Sequence, residues 1–287
     1  MKPIIHCKEL ATLHSEHLII IDASNGKDAY TNYKQKHLKG ALFVDLNMQL
    51  ANIQPDVAIG GRHPLPSLEQ FSKTLTELGI TNESHVVVYD DKQGANAAAR
   101  FWWMLKAVGH QKVQVLNGGF QAAIHIGFPA DDMVVKPKGV APYLVSSWQL
   151  PLATIQEVED KIASSGSIVI DVREAQRYQG VTEPIDLVAG HIPGAINVPF
   201  TTNLDVNGQF LPLDVLTSHF TSILKNTTAS DVIVHCGSGV TACHTLLAMS
   251  YAGFQLPKLY VGSWSEWSRS GKSIVALKND DKPVNKT

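Results

Sequence analysis

The chain of 287 residues follows one plan twice. In the first half the apolar run LIIIDAS carries Asp22 at its end. The segment His37-Leu-Lys-Gly-Ala-Leu-Phe-Val follows, then VVVYDD, the helical pattern ARFWWMLKAVG, and LNGGF. In the second half SIVIDVR ends near Asp171, followed by His191-Ile-Pro-Gly-Ala-Ile-Asn-Val, VIVHCG, CHTLLAMSYAG and VGSW. The pairs Asp22/Asp171, His37/His191 and Asp90/Cys236 are offset by 149, 154 and 146 residues. Offsets this steady imply a duplicated domain with small insertions. Each copy alternates short β-branched runs with helical periodicity, which predicts an α/β fold, a mostly parallel sheet with helices on both faces, in each of two domains. Pro137, Gly139, Pro142 and Pro151 break any regular element between them. The expected division is therefore 1–133, an ordered linker over 134–151, and 152–287.

Composition narrows the class of partner. A formal charge of −2 with no basic stripe argues against a nucleic-acid or membrane partner. Three cysteines, Cys7, Cys236 and Cys243, with no framework spacing, suit a reducing compartment. The opening MKPIIHCKELATLH has no apolar run of signal-peptide length, and no stretch approaches the ~18 apolar residues of a membrane span. The expectation is a soluble, cytoplasmic protein.

The chemistry concentrates in VIVHCGSGVTAC, residues 232–243. A β-branched run ending on Cys236, with Gly237 to Ala242 curling into a helix, aims successive backbone N–H groups at the sulfur. The helix dipole acts from the same side, so a thiolate or another anion is favoured there. The matched position of the first copy holds Asp90, so only the second copy can offer a thiolate. The first is read as a partner that supplies a wall of the cleft.

The tandem arrangement, HLKGALFVDL with HIPGAINVPF, RFWWMLKAVGHQKVQVLNGGF, and HCGSGVTAC with YVGSWSEW together resemble the rhodanese superfamily of sulfurtransferases over nearly the whole chain. The resemblance implies two rhodanese-like domains, the first lacking the nucleophile. It also implies that Cys236 accepts a sulfane sulfur, becomes a persulfide, and passes the sulfur to a thiol such as thioredoxin or to cyanide, with no metal or organic cofactor. Within that family the loop Cys-Gly-Ser-Gly-Val-Thr is similar to that of the 3-mercaptopyruvate sulfurtransferases, whereas thiosulfate-preferring members carry basic residues after the cysteine. A neutral Gly237-Ser238 suits a donor with one carboxylate better than the thiosulfate dianion. Thiosulfate is the second choice of donor.

By the same resemblance Arg177 binds the donor's anionic group, a task suited to a forked guanidinium. Ser238, His63 and Asp45 form a relay that protonates the departing enolate. The amides of Gly237, Gly239, Val240, Thr241 and Ala242 hold the persulfide. Two departures stand out: Ile185 and Asp186 follow Glu183-Pro184 where many mercaptopyruvate enzymes have a second arginine, and Val261 replaces an aspartate in Tyr-Asp-Gly-Ser-Trp.

Other features read as structural. Cys243, two helical turns past Cys236, suits core packing; Cys7 is incidental; His37 and His191 tie the loop before the next strand; and Arg173 suits an ion pair with Asp171. Trp264 and Trp267 pack near the domain junction, as do Phe101, Trp102 and Trp103. A phosphatase of the Cys-x5-Arg type is excluded because the sixth residue after Cys236 is Ala242. A non-catalytic binding module is the remaining alternative, disfavoured by retention of Cys236 in its glycine-containing turn.

Overall fold

The computed structural model describes residues 1–276. The first half contains β1 (Ile4–Ile5), β2 (Leu18–Asp22), β3 (His37–Leu38), β4 (Leu42–Phe43), β5 (His85–Tyr89), β6 (Val113–Leu116) and β7 (Ala130–Asp131). Five of these form a parallel sheet in the order β1-β6-β5-β2-β4, while β3 pairs antiparallel with β7. The second half contributes β8 (Ile168–Asp171), β9 (Ile196–Asn197), β10 (Val232–His235) and β11 (Lys258–Leu259), a parallel sheet in the order β11-β10-β8-β9.

The duplication holds at the level of register. Asp22 at the end of β2 lies opposite Tyr89, and Asp171 at the end of β8 lies opposite His235. Asp90 and Cys236 are therefore equivalent, each the first residue beyond the carboxyl end of its strand, where open α/β sheets place their ligands. His37 and His191 also match. Each ring Nδ1 meets the carbonyl of an upstream tyrosine, Tyr33 at 2.6 Å and Tyr178 at 2.7 Å, and stacks on that tyrosine's ring. The tyrosine hydroxyls donate to Ala41 O and Ala195 O, closing the same turn in both copies.

Strand alternation explains how the halves join. Val86 and Val88 of β5 face one core and Val87 and Tyr89 the other; likewise Val232 and Val234 of β10 face one core and Ile233 the opposite one. The core holding Val86, Val88, Val232 and Val234 is continuous across both halves. At its centre the helices Ala97–Ala107 and Ala242–Tyr251 pack on each other. In the first, Trp102 and Trp103 are fully buried; in the second, every residue from Ala242 to Met249 is buried. Helices buried on nearly all sides belong between layers, not at a surface. Residues 132–151 form no helix or strand, yet are held to the first half: Tyr143 N donates to Thr76 Oγ1 at 2.9 Å, and Trp148 packs on Phe71 and Trp103.

A shared core predicts shared unfolding. Urea denaturation followed by tryptophan fluorescence and by far-ultraviolet circular dichroism should give one coincident transition. Trp102→Ala should lower it by about 3–5 kcal/mol without splitting it. Two resolved transitions would mean the halves are stable independently.

Candidate active site

Cys236 starts the turn between β10 and the helix Ala242–Tyr251, and is 3 % exposed. Among the described residues the N–H groups of Gly237, Ser238, Gly239, Val240, Thr241 and Ala242 have no hydrogen-bond acceptor. The amides of Cys243 and His244 are the first to be used, donating to Val240 O and Thr241 O. Buried amides without acceptors are rare because the lost solvation is costly. The first copy shows what such a turn demands. There the Asp90 carboxylate fills it, Oδ1 accepting from Lys92 N (2.9 Å) and Gly94 N (2.8 Å), and Oδ2 from Asn96 N (3.0 Å) and Ala98 N (3.1 Å). The turn is an anion cradle in both halves, and Cys236 leaves the second one open.

Two segments hold the open cradle. Ser263 Oγ accepts from Cys236 N at 3.2 Å, Trp264 N donates to Cys236 O, and Ser265 N donates to Gly237 O. The Gly-Ser-Trp segment is thus bonded along the Cys236 turn. Gly-Gly-Arg-His of the first half docks on the same segment: Arg62 N donates to Ser265 Oγ at 3.0 Å and Gly60 N to Glu266 Oε1 at 2.9 Å. Gly61 is obligatory there, since its φ is +80° and a Cβ would sit 2.4 Å from Gly262 O.

This docking delivers His63 to Ser238, with Nδ1 and Oγ 2.8 Å apart. Burial, reinforced by the charges of Arg62 and Arg100, pushes the His63 pKa down to about 4, so the ring is neutral at neutral pH. Asp45 does not join them. Its Oδ1 accepts from Asn47 N (2.7 Å) and Met48 N (2.9 Å) as the cap of the helix Leu46–Gln49, and no hydrogen bond links it to His63 among the described residues. The competing signal was local: an aspartate directly before a short helix satisfies that helix's free amides.

The charge at the mouth comes from both halves. A cavity of about 250 Å³ is lined by Cys236, Ser238, His63, Arg62, Arg177 and Ile185, among others. A Cβ on Gly237 would lie 2.9 Å from Arg62 Nη2 and 3.5 Å from Arg177 Nη2, so the two guanidinium groups converge beside the Cys236 turn. Asp186 anchors both, 3.2 Å from Arg62 Nε and 3.6 Å from Arg177 Nη2, and also binds Arg269 at 2.9 Å. Arg177 is fixed further by Glu183 at 2.7 Å; burial opposes its charge, but this partner outweighs it and raises its pKa. Arg173 is an ion-pair residue, 2.6 Å from Asp171 and stacked over Trp264. The residue at the position of the missing arginine, Ile185, is half exposed.

Cys243 is fully buried, its Sγ 3.4 Å from Gly239 O, and burial pushes its pKa up to about 12, which keeps it a thiol. Cys7 is buried in the first half, its thiol near Asn117 O. His235 lies between Asp171 and Cys236 O, outside the cavity lining.

Sequence reasoning missed Arg62 and Arg100. The second is a fully buried arginine of the helix Ala97–Ala107 whose Nη1 donates to Gly239 O at 3.0 Å and whose Nη2 donates to His63 O at 3.1 Å. Arg100, set between Ala97-Ala98-Ala99 and Phe101-Trp102-Trp103, was the available signal, because a charge inside an apolar stretch of helix needs a partner. Arg62 had no such signal, only its adjacency to His63.

Among the described residues there is no group of three or more His, Cys, Asp or Glu placed to hold a metal ion, and no helix is long and apolar enough to cross a membrane. The family signature for the rhodanese-like domain matches twice, over residues 7–124 and 154–270. A probable 3-mercaptopyruvate sulfurtransferase of Pseudomonas aeruginosa is 40 % identical over 248 residues, covering 85 % of each chain. A thiosulfate sulfurtransferase of Gallus gallus is 34 % identical, covering 87 % of this chain and 86 % of that one. The structure of SseA from Escherichia coli superposes with a TM-score of 0.76 at 30 % identity, covering 93 % of this chain and all 100 % of the other. The 3-mercaptopyruvate sulfurtransferase of Leishmania major gives 0.81 at 29 %, covering 93 % and 74 %. With its site at the carboxyl end of the second sheet and its domain present twice, the chain belongs to the rhodanese family and is a sulfurtransferase.

Proposed function

We propose that the protein takes sulfur from 3-mercaptopyruvate onto Cys236 and passes it to a thiol, such as reduced thioredoxin, or to cyanide. The observation that carries this reading is the open anion cradle at Cys236 beside two converging arginines. The Cys236 thiolate attacks the donor's thiol sulfur, forming an S–S bond as the C–S bond breaks. The electron pair of that bond becomes the enolate of pyruvate. The proton from the transferred S–H ends on the enolate carbon, leaving pyruvate and a persulfide anion, so charge and atoms balance. Ser238 is positioned to move that proton. With its proton on Nδ1, neutral His63 donates to Ser238 Oγ and frees the serine's own hydrogen for the developing enolate. The relay ends at His63, and Asp45 enters only as the cap that orders the helix Leu46–Gln49.

In this reading the amides of Gly237, Ser238, Gly239, Val240, Thr241 and Ala242 hold the persulfide as fixed dipoles. Arg177 binds the donor carboxylate, and Arg62 supplies from the first half a second cation beside Gly237, where Ile185 offers none. The pair of cations also suits the thiosulfate dianion, the second-choice donor; the neutral Gly237-Ser238 is what supports mercaptopyruvate as the first.

Cys236→Ser should abolish transfer and Cys243→Ser should retain most of it, because a serine hydroxyl is scarcely ionised and Cys243 stays a buried thiol. Wild type treated with mercaptopyruvate should gain about 32 Da on the protein, lost again on adding cyanide. Equal losses in both variants would mean that the second cysteine relays sulfur.

The ratio of kcat/KM for mercaptopyruvate to that for thiosulfate should exceed one. Arg177→Met should raise KM for either donor by about tenfold or more. A wild-type preference for thiosulfate would overturn the choice of donor.

His63 also links the site to stability. Its folded pKa of about 4 lies below the unfolded value of ~6.5, so between these pH values the unfolded chain binds the extra proton. Stability from this group is whole above pH ~6.5 and is lost as pH falls toward ~4, by at most ~3 kcal/mol. Subtracting the pH–stability curve of His63→Gln from that of wild type should isolate this slope. A flat difference would mean that His63 titrates normally.

A further inference from the structure

Arg100 poses a charge problem that the mechanism above leaves open. It is fully buried in the helix Ala97–Ala107, and no carboxylate pairs with it among the described residues. Its hydrogen bonds go to neutral carbonyls: Gly239 O at 3.0 Å, His63 O at 3.1 Å and Leu50 O at 3.5 Å. Its Nε has no partner. A guanidinium does not give up its proton in a protein, and carbonyls satisfy its donors without cancelling its charge. A buried cation of this kind calls for an anion nearby.

Two sulfur atoms flank the carbonyl that Arg100 binds. Cys243 shares Gly239 O at 3.4 Å and is close enough to Arg100 for the guanidinium to pull its pKa down, but burial outweighs that pull and holds it as a neutral thiol. Cys236 stands three residues before Gly239, at the head of the open cradle. We propose that Arg100 is the buried counter-cation of the sulfur anion on Cys236, the thiolate before transfer and the persulfide after it. The reading rests on Cys236 being the nucleophile. Arg100 acts as a positioning residue, because its bonds go to the turn and not to the reacting atoms. Gly239 O and the N–H of Val240 are opposite ends of one planar peptide, so a cation on the carbonyl polarises a donor that points away from Arg100 and has no acceptor of its own. The bond to His63 O fixes the loop that carries the partner of Ser238. One guanidinium from the half without a nucleophile thereby ties together both loops of the site.

Alkylation of Cys236 by iodoacetamide at neutral pH tests this without any sulfur donor. Arg100→Gln keeps a hydrogen-bond donor for Gly239 O but removes the charge, and should slow alkylation by about tenfold or more. Arg100→Lys keeps the charge and should stay within about threefold of wild type. In turnover Arg100→Gln should lower kcat while KM for the donor changes by less than about twofold, unlike Arg177→Met. Alkylation of Arg100→Gln near the wild-type rate, or equal slowing in both variants, would overturn the proposal. If the glutamine variant gives no cooperative melt, the lysine variant decides alone: near-wild-type alkylation supports the proposal and a tenfold loss of about that size overturns it. Wild type that fails with mercaptopyruvate while the variants keep this alkylation pattern would remove the donor assignment and leave the role of Arg100 standing.

Discussion

A strand that runs into a helix through a tight buried turn leaves amides with nothing to bind, and both halves of this protein must settle that debt of hydrogen bonds. The first half does so internally: Asp90 places a carboxylate in the turn and takes four amides. The second half puts Cys236 at the equivalent position and leaves six amides without a protein acceptor among the described residues. The two copies thus differ in whether a carboxylate fills the turn, and the turn at Cys236 is the one left open. A sulfur nucleophile that is anionic before and after reaction fits that requirement.

The open turn would be useless without the other half. Gly61 lets the first half approach the Gly-Ser-Trp segment closely, and the residues that follow, Arg62 and His63, then reach the pocket. Arg100 comes from the helix Ala97–Ala107, which packs against the helix Ala242–Tyr251 that follows the cradle. The shared apolar core therefore sets the catalytic geometry, because it fixes the separation of side chains arising on different sheets.

The duplication and the α/β class were legible because apolar alternation and the matched His-x-x-Gly-Ala turns are local patterns that repeat. Cys236 was legible because its strand, turn and helix are contiguous. The pairing of Ser238 with His63 came through family resemblance, as they are 175 positions apart. Asp45 came from the same resemblance, and the structure uses its carboxylate to cap the helix Leu46–Gln49, with no hydrogen bond to His63 among the described residues. Arg62 was not legible: it reaches the cavity beside Arg177 from the first half, and no sequence period links the two. The neutrality of Gly237 has the same origin, since a side chain there would press on Arg62 and Arg177.

The central claim is that the open cradle binds the transferred sulfur as an anion. A crystal structure of the protein loaded with mercaptopyruvate and freed of excess donor tests it most directly. The account predicts added density on Cys236 Sγ, with the outer sulfur inside the turn and within hydrogen-bond distance of several amides between Gly237 and Ala242. Sulfur on Cys243, or an outer sulfur on Cys236 directed out of the turn with those amides bound elsewhere, would contradict it.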